Sequence, residues 1–325
     1  MTATVFLQLL INGIVLGAMY GLIAVGYTMV YGIIQLINFA HGEIFMLGGF
    51  GALAVYLWIP GVQHLPLLAA LPIMLVGGVI VSVLFAIGAE RFAYRPLRNA
   101  PRLAPLITAI GLSIFLQQLV FLWYPQPGSG GGFFSHFSGV TAPLQFPTFQ
   151  RAAFNIGGIL IQPADVLTLI AAAVGMAALA YFVGRTRTGR AMQATAQDPD
   201  TARLMGINTN KVIVIAFALG AALAAVGAMT QGLRLGQISF DMGFVAGLKA
   251  FTAAVLGGIG NVYGAMVGGI VLGVAEQLST GILAHFTATQ QWGTAWQDVW
   301  AFVLLIIVLL VRPQGLLGER VADRA

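Results

Sequence analysis

Asn38-Phe39-Ala40-His41-Gly42-Glu43 is the only cluster of ionisable side chains set close to apolar sequence on both sides. Zinc-protease chemistry does not fit it, because an H-E-x-x-H site needs a second His one helical turn on and HGE has none. Two readings remain. Ionisable residues in or near membrane spans mark solute pathways, which would make Asn38, His41 and Glu43 part of a gate or pore wall. Alternatively, Asn38 and Glu43 are interfacial caps for flanking helix ends. The other His residues (His64, His136, His285) show no metal-ligand spacing, and a chain without Cys has no thiol, disulfide or Fe-S chemistry.

Gly257-Gly258-Ile259-Gly260-Asn261 is a second constellation. Each glycine costs about 1 kcal/mol in a helix relative to Ala, so this run breaks one. Non-helical backbone at membrane depth is tolerated only where it is buried in protein or lines a wet cavity. If it lies at depth, the break points to a translocation path carrying Gly257, Gly258, Gly260 and Asn261.

A third lies in the basic stretch Arg185 to Lys211. Asp198 is a good N-cap, Pro199 suits the first helical position, Asp200 favours the positive end of the dipole, and Gly206 can take the left-handed terminating position. That predicts a helix of about two turns over 199–205. A solvated loop needs no such organised helix, which gives it a reason to dock something; the plainer alternative is an ordinary structured loop. Arg185, Arg187 and Arg190 read as membrane-edge anchors rather than ligand binders.

The elements that position these residues must lie in lipid. Hydrophobic residues make up 59% of the chain and charged residues 8%, against about 25% charged in soluble proteins. Apolar blocks at 5–31, 44–59, 67–88, 103–124, 164–183, 212–233 and 294–311 approach the roughly 20 residues a helix needs to span the bilayer core. The first has no Lys or Arg before it and no cleavage site after it, which predicts a retained helix. Most basic residues fall in three stretches: Arg91, Arg95, Arg98 and Arg102; Arg185, Arg187, Arg190, Arg203 and Lys211; and Arg312, Arg320 and Arg324. By the positive-inside rule all three are cytoplasmic. This placement, not nucleic acid, explains the net charge of +5.

The loop from Pro125 to Gly158, with Gly128, Gly130, Gly131 and Gly132 and only Arg151, belongs outside, and so does the N-terminus. Parity then requires an even number of crossings between the spans at 212–233 and 294–311. The block Lys249 to Ala275 is therefore expected to form two short helices meeting at Gly257 to Asn261, with Arg234 and Lys249 outside. Gly13, Gly17 and Gly21, and later Gly264 with Gly268 and Gly269 with Gly273, form small-xxx-small ridges. These pack within the subunit or against a partner permease.

At these residues the chain resembles a known family. Asp200-Thr201-Ala202-x-x-x-Gly206 is similar to a degenerate form of the EAA-x-x-x-G element by which importer permeases contact their ATPases, with Thr201 where Ala is usual. INFAHGEIFMLGGFGA from Ile37, YRPLRNAPRLAPLITAIGLS from Tyr94, RTRTGRAMQATAQDPDTARLMGIN from Arg185, LKAFTAAVLGGIGNVYGAMVGGIVLG from Leu248 and VRPQGLLG from Val311 together resemble the Liv-type branched-chain amino acid permeases. The resemblance implies an all-α integral membrane protein of the ABC importer permease type. It would be one transmembrane domain over 1–325 with about 8–9 membrane helices, a broken or re-entrant pair among them, and a cytoplasmic coupling loop at 185–211.

It further implies a bacterial inner-membrane subunit paired with a homologous second permease, two cytoplasmic ATPase subunits and a periplasmic substrate-binding protein. The coupling residues would be Asp198, Pro199, Asp200, Thr201, Ala202, Arg203, Leu204, Met205 and Gly206. Branched-chain or other hydrophobic amino acids would be the substrate, with urea or short amides as related cargo. The sequence has no G-x-x-x-x-G-K-[ST] phosphate loop, so ATP and Mg would be bound by the partner ATPases and this chain would carry no cofactor and no catalytic residue. An ion-coupled secondary transporter would commonly use intramembrane carboxylates, for which Glu43 and Glu276 are thin material. A membrane-embedded enzyme would need a nucleophile with a base, or a metal cluster, and the sequence offers neither.

Overall fold

The first apolar block folds as one helix, α1 (Ala3–Ile34), ended by Gln35 in the left-handed region. In this computed structural model the described residues are 2–98, 100, 101, 103–125, 137, 138, 140, 142–149, 154–285 and 296–318. Arg102, Gly128, Gly130, Gly131, Gly132, His136, Arg151, Arg320 and Arg324 lie outside them, as does the start of the block at 294–311. After α1 come α2 (His41–Trp58), α3 (Leu67–Ala89), α4 (Leu103–Trp123) and α5 (Pro163–Arg185), then α6 (Arg187–Gln197) and α7 (Pro199–Leu204). α8 (Thr209–Leu235), α9 (Met242–Gly257), α10 (Val262–His285) and α11 (Gln297–Val311) complete the set.

Six helices are long and apolar enough to cross a membrane: α1, α3 with its continuation to Leu97, α4, α5, α8 and α10. α9 and α11 are shorter apolar helices, and α2, of 18 residues, is mostly buried within the bundle. The strands are brief pairings at the opposite end from the arginine clusters. The hairpin Phe154–Ile156 with Ile159–Ile161 is tied to α1 by Gln8, whose amide donates to the Leu160 carbonyl at 2.9 Å and accepts from the Leu160 N–H at 2.7 Å.

Glycine contacts fix the helix directions. Gly26 lies against Gly220 and Ile23 against Gly227, so α1 and α8 run antiparallel; Gly48 meets Ala225 and Gly49 meets Ala228, so α2 and α8 run parallel. With the arginine-bearing end assigned to the cytoplasm, α1 runs inward and α8 outward. α9 then returns inward, α10 goes out and α11 comes back in to Arg312. The Lys249 to Ala275 block is thus divided, but unequally. α9 has 16 residues and reaches about 24 Å, less than the roughly 30 Å core. α10 has 24 residues and is not short.

Both small-residue ridges are used within this subunit. Gly13 and Gly17 lie against the backbone of Ile270, Gly273 and Val274 on α10, while Gly264 and Gly268 face Gly257 and Ala253 on α9. Close backbone approach of this kind lets van der Waals contact hold helices together in lipid, where no hydrophobic effect drives association.

Candidate functional site

The polypeptide after α1 turns back into the bundle, and α2 begins at His41, three residues earlier than the apolar block suggests. His41 and Glu43 are both buried. The His41 ring stands edge-on to Tyr27 at 4.8 Å and packs on Gly26, where an added Cβ would collide with it, and beside Gly220. Glu43 Oε1 accepts from Ser113 Oγ of α4 at 3.1 Å. Its second oxygen, and His41 Nε2, find no partner among the described residues. Asn38 Oδ1 accepts from Tyr94 OH at 2.6 Å.

Of the capping reading of Asn38 and Glu43, only the position of Glu43 in the first turn of α2 is seen. Neither side chain caps α2, whose N-cap is Ala40 with no side-chain bond; both are spent on partners from α4 and from the turn after α3. Gly42 lies against Gly243 and Gly247 of α9. The cluster joins α1, α2, α4, α8 and α9.

Gly257 to Asn261 forms the turn between α9 and α10, with Gly258 at φ +109° and Gly260 at φ +95°. It sits at the cytoplasmic end. Leu316 N donates to Leu256 O at 2.8 Å and Leu317 N to Gly257 O at 3.0 Å, so the segment after α11 closes over it. Asn261 donates to Leu317 O at 2.9 Å and accepts from the N–H of Tyr263 and Gly264, capping α10. A cleft of about 570 Å3 beside Gly260 and Asn261 runs along the end of α5 to Gln193 of α6.

The basic stretch holds more helix than expected: α6, capped by Thr186 Oγ1 accepting from Gly189 N at 3.0 Å, precedes α7. Its signal was the Thr186 to Gly189 spacing, hidden among arginines. In α7, Asp198 accepts from Asp200 N at 3.0 Å and Thr201 N at 3.1 Å, and the helix ends one residue before Met205. Gly206 takes φ +82°. Ala202 is buried, whereas Leu204 is 88% and Met205 78% exposed.

Thr201 does not join them as an apolar face, because its hydroxyl bonds Asp198. Arg203 is engaged within the chain, by Asp200 at 3.0 Å and by Thr209 Oγ1 at 3.0 Å. Beside it Arg98 NH1 donates to Asn210 Oδ1 at 2.6 Å and pairs with Glu90. Burial lowers the Arg98 guanidinium from its usual value against the opposing pull of Glu90, and the charges of Arg95 and Arg203 lower it further.

One group of residues went unrecognised in the sequence. Lys249, expected outside, is buried within α9, where it pairs with Glu276 of α10 at 2.8 Å and with Asp298 of α11. Arg234, at the outer end of α8, pairs with Asp165 at the start of α5 at 3.0 Å. The available signal was a lysine and a glutamate inside apolar blocks, a costly placement unless the two meet. The described residues hold no group of three or more metal-ligating side chains.

A multi-pass bundle in which six described helices are long and apolar enough to cross a membrane defines the class: a helical membrane protein. The family model for branched-chain amino acid transport system permease components matches residues 9–309, and the chain belongs to that family. It is 43% identical over 317 residues to the high-affinity branched-chain amino acid transport system permease protein BraD of Pseudomonas aeruginosa, covering 97% of this chain and 96% of that one. It is 43% identical over 321 residues to the corresponding LivH protein of Escherichia coli K12, with 97% and 96% covered. Among solved structures, PsaBC from Streptococcus pneumoniae in complex with Fab superposes with a TM-score of 0.47 and 11% identity, over 95% of this chain and 92% of that one.

Proposed function

We propose that this chain is the membrane-spanning permease subunit of an ATP-driven importer that carries branched-chain and other hydrophobic amino acids across the bacterial inner membrane. A homologous permease completes the path, two cytoplasmic ATPases bind ATP and Mg, and a periplasmic binding protein delivers the substrate. The observation that carries the reading is α7: a capped helix on the cytoplasmic side with Leu204 and Met205 held out into water. Large apolar side chains exposed together mark a contact surface. Family membership supports the amino-acid substrate.

A continuous set of contacts supports a rigid-body mechanism. Movement of α7 reaches α8 through Arg203 and Thr209, α8 reaches the Glu90–Arg98 segment through Asn210, and Tyr94 of that segment holds Asn38 before α2. ATPase closure would thus shift the buried His41 and Glu43 wall, which we assign to the path, whereas the Gly257 to Asn261 turn lies at the end of the bundle rather than at the depth its assignment to the path required.

The chain has no native Cys, so single cysteines at Thr201, Arg203 and Met205 can be used directly. At least one is expected to cross-link to a cysteine-bearing ATPase surface in the active complex, Met205 most strongly. Cross-linking only from a site in the Tyr94–Arg98 segment would move the contact there. The path assignment has its own test. Glu43→Gln keeps the size of the side chain and the acceptor for Ser113, so assembly should be unaffected while uptake falls about tenfold, the scale of one charge-assisted hydrogen bond. Normal uptake per assembled complex by both Glu43→Gln and His41→Ala would reduce the cluster to a packing role.

A further inference from the structure

The backbone between α1 and α2 runs at membrane depth without being helical. His41 lies against Gly26, eight residues before the end of α1 at Ile34, so residues 35–40 climb about 12 Å back into the bundle. Backbone of this kind at depth has to be held by protein or line a wet cavity. Asn38 and Ala40 within it are buried. The Asn38 side chain accepts from Tyr94 OH at 2.6 Å, and its Nδ2 has no partner among the described residues. Phe39 packs on Phe251 of α9, with ring centroids 5.6 Å apart.

Tyr94 comes from the cytoplasmic end of α3. There the chain makes a wide π turn, Glu90–Tyr94, followed at once by a tight 3-10 turn, Arg95–Leu97. Single π turns are frequent at functional sites. Buried Glu90, ahead of the two turns, pairs with Arg98 after them, and Arg98 also donates at 2.6 Å to Asn210 in the first turn of α8. The Tyr94 ring rests on Phe217 of α8, with centroids 5.5 Å apart. The two turns are thus clamped to α8 at two levels, and the Tyr94 hydroxyl carries their position across to Asn38.

We infer that Tyr94 is a positioning residue for transport: its hydroxyl ties residues 35–40, and with them His41 and Glu43 at the start of α2, to the movement of α8 and the coupling loop. This rests on the reading of the chain as an importer permease whose path wall includes His41 and Glu43. Ring and hydroxyl have separable roles, the ring in packing and the hydroxyl in setting where the segment stands. Without the hydroxyl, α8 moves while residues 35–40 stay behind, and ATP is hydrolysed without a matching passage of substrate.

The complete transporter in liposomes, with its binding protein and L-leucine, reports this as leucine taken up per ATP hydrolysed. A defect of folding or assembly lowers uptake and hydrolysis together and leaves that ratio unmoved. Tyr94→Phe keeps the ring on Phe217 and should lower the ratio about fivefold, the scale of one neutral hydrogen bond. It leaves the Asn38 acceptor buried and unbonded, so Tm should fall as well. Adding Asn38→Leu removes that acceptor, and replacing both partners by apolar groups of similar shape is nearly neutral for stability. The double variant should therefore recover Tm and keep the low ratio. A wild-type ratio in Tyr94→Phe overturns the inference. So does a double variant whose ratio recovers along with its Tm, since the bond then serves packing alone. If Tyr94→Phe fails to assemble, the ratio of the double variant decides in the same way. Absence of ATP-dependent L-leucine uptake by the wild-type transporter would instead remove the import reading, and the inference with it.

Discussion

Replacing Leu204 and Met205 together by glutamine is expected to cut ATP-dependent uptake roughly 30-fold, the loss that corresponds to about 2 kcal/mol at a binding hot spot. Both side chains stand in water, at 88% and 78% exposure, so their removal takes nothing from the packing of the permease. Glutamine retains good helix propensity and avoids placing a carboxylate at the negative end of α7. The Asp198 cap and the Gly206 turn stay as they are. The double variant should therefore reach the membrane at normal levels and melt like the wild type. It should also lose its ATPase subunits during purification in detergent. Uptake and co-purification both at wild-type level would show that α7 is not the contact.

The legibility of these elements in the sequence followed their locality. Asp198, Pro199, Asp200 and Gly206 act through neighbours in the chain, so their spacing was enough to set the bounds of α7 within one residue. The division of α9 from α10 was legible for the same reason, since three glycines and an asparagine are the turn. Depth was not. Whether Gly257 to Asn261 sits mid-bundle or at the cytoplasmic edge depends on the segment after α11, which bonds Leu256 and Gly257 from more than fifty residues away.

Partners of single polar residues were equally out of reach. Asn38 and Glu43 carry the residue types of helix caps, and only the arrival of Tyr94 and Ser113 from other helices diverts them. Lys249 and Glu276 are 27 positions apart and meet because α9 and α10 fold back on each other. Periodicity reports which face of a helix is apolar, and a helix apolar all round gives it nothing to report.

Gly17→Leu is expected to be strongly damaging, although it makes α1 more hydrophobic. A Cβ at this position would stand 2.6 Å from Ile270 Cα and 2.7 Å from Gly269 O. Both are backbone atoms of α10, so no rotamer change relieves the clash and the two helices must separate. Separation would also open the neighbouring contacts at Gly13 and Gly273, which lie in the same seam. Overpacking typically costs about 1–3 kcal/mol, and a backbone-to-backbone seam falls at or above the top of that range.

Gly111→Leu provides the control: Gly111 is exposed on α4 and an added Cβ there meets nothing within 4 Å. Both variants should insert, because leucine favours insertion in either helix. Thermal unfolding of the detergent-purified proteins should then separate them, with a clear fall in Tm and loss of assembled complex for Gly17→Leu and no fall for Gly111→Leu. Equal melting of the two variants would mean that the seam of α1 with α10 yields at little cost, and would leave the glycines of α1 without a packing role.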